Sequence, residues 1–230
     1  MGETPTGVFI AADIVILTIR KGDFEVLLVR RGNPPFAGDL ALPGGFLEPG
    51  ETVDEAAARE LREETALSPG SARLEQVGIY SAPERDPRRR VVSSAYVAMV
   101  PDPPEARAGG DAAGTEWLPV EYALTEPLAF DHRCILTDAV EHARRQLEYT
   151  TAATAFCREK FTVAELRRVY EIVWRTKLDP GNFHRKVTRI EGFLEPTGET
   201  TSRDGGRPAA LYRAGGRRWL QLPLARPEGA

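Results

Sequence analysis

The chain has 230 residues, 42% of them hydrophobic and 28% charged, which is ample for two globular cores. No apolar run reaches the roughly 18 residues of a membrane span, so no membrane partner is expected. The first residues lack a basic start and a small-residue cleavage site, so no signal peptide is read and the cytoplasm is the expected location.

Cys134 and Cys157 have no metal-ligand spacing and read as packing thiols. The net charge of −4 hides an asymmetry: residues 1–150 carry 15 basic and 25 acidic side chains, and residues 151–230 carry 15 and 9. A basic second part points to a basic tail or a nucleic-acid module.

In chain order, residues 8–19 are apolar and β-branched, interrupted by Asp13, and predict a buried strand. A turn at 21–23 leads to a second strand over 24–30, and Arg30 and Arg31 close it. Residues 32–35 are a loop, and 40–43 are a short strand running into the glycine turn Gly44-Gly45. Two adjacent glycines allow backbone to approach a ligand closely. A helix is predicted over 53–65, with a stop at 68–70.

That helix carries an unusual pattern. At 100° per residue, Glu60, Glu63 and Glu64 fall within an arc of about 100°. Like charges at this spacing weaken an isolated helix, so the stripe points to a cation that the sequence does not contain. Such glutamates alone would equally suit a solvated acidic face. The glycine turn before them and Arg59, four residues ahead of Glu63, make the pattern more specific.

Further strands are predicted over 74–80, 91–100 and 115–118, and a helix over 136–147. Strands with helices on both faces predict an α/β/α sandwich. The polar loop at 81–90 holds Arg85, Arg88, Arg89 and Arg90, and such forks suit oxyanions.

After residue 150 the pattern changes. Thr162 and Glu165 form a capping box that opens a helix with Leu166, Val169, Tyr170 and Val173 on one stripe, ending near Arg175. Asp179 and Pro180 are an N-cap and first-turn pair. They open a second helix to about Ile190, with Phe183, Val187 and Ile190 inward. Its outer face carries Asn182, His184, Arg185, Lys186 and Arg189, and Gly192 stops it. The Gly-Gly turn within 203–207 then predicts a hairpin, with Arg207 and Arg213 as its basic residues. Helix, turn, basic helix and hairpin outline a winged helix-turn-helix. Arginine and lysine there would meet phosphates of double-stranded DNA, and Asn182, His184 or Arg185 would reach base edges.

The stretch 44–67 resembles the Nudix box, matching at Gly45, Glu51, Arg59, Glu60, Leu61, Glu63, Glu64 and Leu67. It departs at Ala66, where the family has glycine. The resemblance implies Mg2+ or Mn2+ held by Glu60, Glu63 and Glu64 with the Gly45 carbonyl, Glu60 and Glu64 being the preferred direct ligands. Glu63 is a ligand or a base, and Glu63 and Glu64 are the candidate catalytic residues. Arg30, Arg31, Gly44, Arg85 and Arg88 are the candidate ligand-binding residues, because family members that handle ADP-ribose place arginines near these positions.

Residues 7–213 as a whole resemble the Nudix-related transcriptional regulators of NAD metabolism called NrtR. The implied architecture is an α/β Nudix sandwich over 1–150 and a winged helix-turn-helix over 151–230. The implied function is a homodimeric repressor of operator DNA that responds to ADP-ribose or a related NAD metabolite. In many such regulators the box is degenerate, whereas here it is nearly complete, so hydrolysis of ADP-ribose to AMP and ribose 5-phosphate stays open. The alternative is a metal-dependent ADP-ribose pyrophosphatase with no regulatory role.

Overall fold

The computed structural model describes residues 7–65, 72–101, 112–202 and 208–227. The expectations for Ala66 and Leu67, for the stop at 68–70 and for the turn at 203–207 with Arg207 lie outside the described residues. The chain divides into two compact units: Met1–Thr18 with Glu25–His142, and Ile19–Phe24 with Ala143–Ala230. Among the described residues, no helix is long and apolar enough to cross a membrane.

The first unit is built on strands β1 (Phe9–Arg20), β2 (Asp23–Arg31), β3 (Leu40–Ala41) and β4 (Gly44–Phe46), helix α1 (Val53–Thr65), and strands β5 (Arg73–Tyr80), β6 (Val91–Met99) and β7 (Ala112–Pro119). One mixed sheet runs in the order β3-β2-β1-β6-β5, with β4 added to β1 and β7 to β2. β1 and β6 run parallel, Phe9 opposite Val91 and Leu17 opposite Met99. β1 is apolar on both faces because both are covered. Ala12, Ile14 and Ile16 pack with Ala56, Ala57 and Leu61 of α1. Val15 and Leu17, equally buried, point to the opposite face.

The expected glycine turn is partly a strand, since Gly44 and Gly45 pair with Asp13 and Ala12 of β1. α1 opens on a capping box that the sequence reading passed over: the Glu55 N–H donates to Thr52 Oγ1 at 3.3 Å, and the Thr52 N–H donates to Glu55 Oε2 at 2.8 Å. A short helix α2 (Val120–Ala123) was not foreseen. Helix α3 (His132–Tyr149) extends a turn beyond the predicted start, and its residues Ile135, Leu136 and Ala139 are fully buried.

In the second unit, a 3-10 turn over Ala152–Phe156 precedes helices α4 (Val163–Val173) and α5 (Pro180–Arg189) and the hairpin β8 (Leu194–Thr201) and β9 (Ala209–Ala214). α4 starts with the predicted capping box of Thr162 and Glu165. It ends at Val173, close to the expected Arg175, which takes a positive φ of 55°. Asp179 caps α5 by accepting from the Asn182 N–H at 2.7 Å, with Pro180 in the first turn. Tyr170 packs edge-on against Trp174 and Phe183, with centroids 4.8 and 5.2 Å away. This aromatic cluster locks α4 to α5. Ile190, expected inward, is only half-buried. Gly192 ends the segment at a φ of +71°, a conformation that suits glycine. Phe161 exchanges backbone hydrogen bonds with Tyr212 at 3.0 and 2.8 Å, tying the entry to α4 onto the hairpin.

The Thr162 cap joins α4 to a short connection, so its loss should be felt by the whole second unit. Thr162→Ala is expected to lower stability by about 1 kcal/mol, read as a shift in the urea midpoint of the unfolding of this unit at unchanged slope.

Candidate ligand pocket and nucleic-acid face

The carboxylates of α1 lie beside β4. Glu60 is buried, and Arg59 Nη1 donates to its Oε1 at 2.7 Å. Arg59 also grips Glu51 through Nε at 3.0 Å and Nη2 at 3.1 Å, reaches the Phe46 carbonyl, and lies 3.7 Å from Glu63. Gly45 leaves room for this cluster: a Cβ there would lie 2.2 Å from Glu60 Oε1. A Cβ on Gly44 would lie 2.4 Å from the Ala12 carbonyl oxygen. Both glycines are therefore steric requirements of the packing.

Burial raises the Glu60 carboxyl above its usual range even though Arg59 opposes the shift. Burial, with Glu60 and Glu63 alongside, pushes Glu64 up to about 7. Glu64 Oε2 is buried and has no hydrogen-bond partner. An unpartnered carboxylate oxygen beside two further carboxylates is an oxygen-rich donor set suited to a hard divalent cation. Among the described residues, no three acidic, histidine or cysteine side chains converge into a ready cage. Arg59 supplies positive charge there instead.

These groups line one cavity of about 710 Å³, which also takes in Arg30, Arg31, Gly44, Gly45, Arg85 and Arg88. The proposed metal and ligand residues are thus brought to a single place, though with different freedom. Arg30 is half exposed and is held by Glu116 at 2.7 Å and by the Gly38 carbonyl at 2.8 Å. Arg31 donates to the Pro35 carbonyl and lies over the Phe130 ring, 4.7 Å from its centroid. Burial and the nearby Arg88 lower its pKa. Arg88 makes a fork to Asp86 at 3.0 and 2.7 Å and approaches the same ring at 5.7 Å. That guanidinium holds Asp86 below the usual carboxylate range.

Arg85 is the buried member. It forms a fork with Asp131 at 2.9 and 2.7 Å and donates to Asp13 at 3.0 Å. Ser93 Oγ also donates to Asp13 at 2.6 Å. His132 is buried, and its Nδ1 accepts the Leu42 N–H at 2.9 Å, which leaves the proton on Nε2, 3.7 Å from Asp13. Burial lowers its pKa and keeps it neutral. The sequence reading missed Asp86, Phe130, Asp131 and His132, and treated Asp13 only as an interruption. The available signal was that interruption: a charge inside a buried strand needs a partner.

In the second unit, Asn182, His184, Arg185, Lys186 and Arg189 of α5 are all exposed, while Phe183 and Val187 are buried. On a helical projection, Asn182, Arg185, Lys186 and Arg189 share an arc of about 100°. His184 lies outside this arc, on the flank next to Val187. Arg185 donates to Asn182 Oδ1, so the two act as one polar unit. Arg213 is on β9, exposed and 3.1 Å from Glu159. The result is a capped helix whose inner side is apolar and whose outer side is basic.

Two family models match the chain: the NUDIX domain over residues 9–139 and the NrtR DNA-binding winged helix domain over residues 154–214. The ADPR responsive transcriptional repressor NtrR of Acinetobacter baylyi is 33% identical over 203 residues, covering 87% of this chain and 80% of that protein. The ADP-ribose pyrophosphatase of Methanocaldococcus jannaschii is 45% identical over 120 residues, 52% of this chain and 68% of that one. Among solved structures, Shewanella oneidensis NrtR complexed with a 27mer DNA is similar at a TM-score of 0.81 and 30% identity, covering 94% of this chain and 99% of that one. With a Nudix domain followed by an NrtR winged helix, and relatives matched over most of its length, the chain belongs to the NrtR family of Nudix-related transcriptional regulators.

Proposed function

We propose that the protein is a transcriptional repressor that reads double-stranded operator DNA with α5 and the β8–β9 hairpin, and that ADP-ribose or a related NAD metabolite bound in the Nudix cavity controls it. The observation that carries this reading is the basic stripe of α5, held outward on a capped helix with the aromatic cluster behind it. In this reading Asn182, His184 or Arg185 reach base edges, and Lys186, Arg189 and Arg213 meet phosphates. The domains are assigned as residues 1–150 and 151–230, the assembly as a homodimer on a palindromic site, and the location as the cytoplasm, where such DNA is read.

The cavity suits a dinucleotide. Arg31 and Arg88 present guanidinium forks to a diphosphate, and Arg85 lends charge from below. Nudix hydrolases generally work with divalent metals. Here Glu60 and Glu64 would hold Mg2+ or Mn2+ with Glu63 and the Gly45 carbonyl, and the cation, when bound, supplies diphosphate neutralisation and Lewis acidity toward water. Glu64 retains a proton near neutral pH and gives it up as positive charge arrives. Its buried unpartnered oxygen is also the observation that favours a second reading, retained hydrolysis of ADP-ribose, with Glu63 or Glu64 as base. The two readings are compatible. For the ligand to release DNA, it must bind the DNA-free and DNA-competent states with different affinity.

Five substitutions have expected outcomes. Lys186→Ala should weaken a selected duplex by about tenfold and reduce the slope of log affinity against log salt by about 1. Arg185→Ala should also relax base preference at one position, and equal loss on all duplexes would remove it from base readout. Gly45→Ala and Glu64→Gln should each weaken Mn2+ binding at least about tenfold by calorimetry, through intrusion on Glu60 and loss of a ligand oxygen. They should abolish any conversion of ADP-ribose to AMP. Arg88→Ala should weaken ADP-ribose binding by about 1.5–3 kcal/mol, the value of a charge-assisted contact, in the same calorimetric assay.

A further inference from the structure

The stretch after β9 falls outside both family models, as does the end of α3. In the structure these two unassigned pieces bind one another. The Leu220 N–H donates to the Tyr149 carbonyl and the Leu224 N–H to the Glu148 carbonyl, both at 2.9 Å. Thr150 and Trp219 form an antiparallel bridge. Thr151 donates twice, through its N–H to the Arg218 carbonyl at 3.2 Å and through Oγ1 to the Arg217 carbonyl at 2.7 Å.

The same tail also grips the corner between α5 and β8. The Gly215 N–H donates to Phe193 at 2.8 Å, the Arg217 N–H to Gly192 at 2.9 Å, and Arg217 Nε to Glu191 at 2.6 Å. The contact is close enough that a Cβ on Gly215 would lie 2.2 Å from the Gly192 carbonyl oxygen. One segment therefore ties the exit of α3 to the end of the DNA-reading helix.

Its attachment is mostly backbone hydrogen bonding. Leu224 is buried, but Trp219 and Leu222 are 59% and 80% exposed. A segment held largely by backbone hydrogen bonds, with little apolar burial of its own, opens at lower cost than a packed core element. At its other end, α3 starts at the cavity. His132 in its first turn holds the Leu42 amide, and Asp131, whose carbonyl accepts from the Cys134 N–H at 2.9 Å, shares Arg85 with Asp13. Asp13 and Arg85 line the cavity, so a diphosphate entering it places negative charge beside this ion pair.

We propose that residues 215–224 are a coupling strap: attached, it sets α5 for DNA against the end of α3, and ADP-ribose weakens DNA binding by disturbing α3 and, through it, the strap. This rests on the reading of the chain as an ADP-ribose-controlled repressor. The strap residues are positioning residues, since their effect on DNA passes through α5.

The test uses the full chain, a labelled duplex that the protein selects from a randomised pool, and ADP-ribose, with DNA affinity read by fluorescence anisotropy. The variants are Gly215→Ala, which pushes the tail off the Gly192 carbonyl, and a deletion of residues 217–230. Exchange of the Leu220 amide reports release of the strap in Gly215→Ala, and thermal melting reports folding of both variants. In the wild type, ADP-ribose should raise the duplex Kd by about tenfold. In the variants ADP-ribose affinity by calorimetry should stay within about twofold, while the rise in duplex Kd falls below about twofold. A variant with a released strap and the full wild-type response overturns the strap alone. A wild type that binds the duplex but shows no response to ADP-ribose overturns the repressor reading on which the strap rests. If the deletion does not fold, Gly215→Ala decides.

Discussion

Three carboxylates on one stripe of α1 must be kept from driving that helix apart, and much of the first unit's local geometry follows from this need. Arg59 is the internal answer. It spans Glu51, Glu60 and the Phe46 carbonyl, so it joins the loop before α1, the helix itself and β4. Gly45 has no side chain because Glu60 occupies that space, and Gly44 has none because β1 does. Glu64 is left out of the arginine's reach, and its desolvated carboxyl holds a proton near neutrality. The motif is thus a charge balance in which Glu64 Oε2 is left buried and without a hydrogen-bond partner.

The same principle, buried charge answered by buried charge, organises the cavity floor. Asp13 sits in a strand otherwise made of apolar residues, and Arg85, Ser93 and His132 gather around it. Removing one member would leave another charge buried without compensation, which costs more than the pair gains. A network of this kind holds the start of α3 in one place, and it gives an incoming anion something electrostatic to disturb.

The acidic stripe, the capping box at Thr162, the N-cap at Asp179 and the outward basic set of α5 were legible in the sequence because each depends on spacing within one element. The helical period alone sorts Phe183 and Val187 from Lys186 and Arg189. What was not legible depends on contacts between distant segments. Asp13 meets Arg85 across 72 residues and Leu42 meets His132 across 90, and no local pattern encodes either pairing. The arginines of the loop at 81–90 read alike in sequence. The structure separates them into a buried ion pair at Arg85, a cavity wall at Arg88 and, at Arg89, a guanidinium 4.5 Å from the Phe9 ring. The tail after β9 carried no motif at all, since backbone hydrogen bonds hold it and these leave no mark on side-chain choice.

Sensing and hydrolysis place opposite demands on this cavity. A pure sensor gains by holding its ligand for as long as the metabolite is abundant, so a cation site that promotes cleavage works against it. A sensor that also cleaves its ligand reports the balance between supply and its own turnover, and releases the signal without waiting for dissociation. The second arrangement would need the Glu60, Glu63 and Glu64 set in a chain that also carries a DNA-reading unit, with cleavage slow compared with exchange of the duplex. Fast cleavage would clear the ligand before the DNA-bound population could respond. Burial raises the Glu64 carboxyl to about 7, and a carboxyl that must first lose a proton binds a cation less tightly at neutral pH than one already ionised.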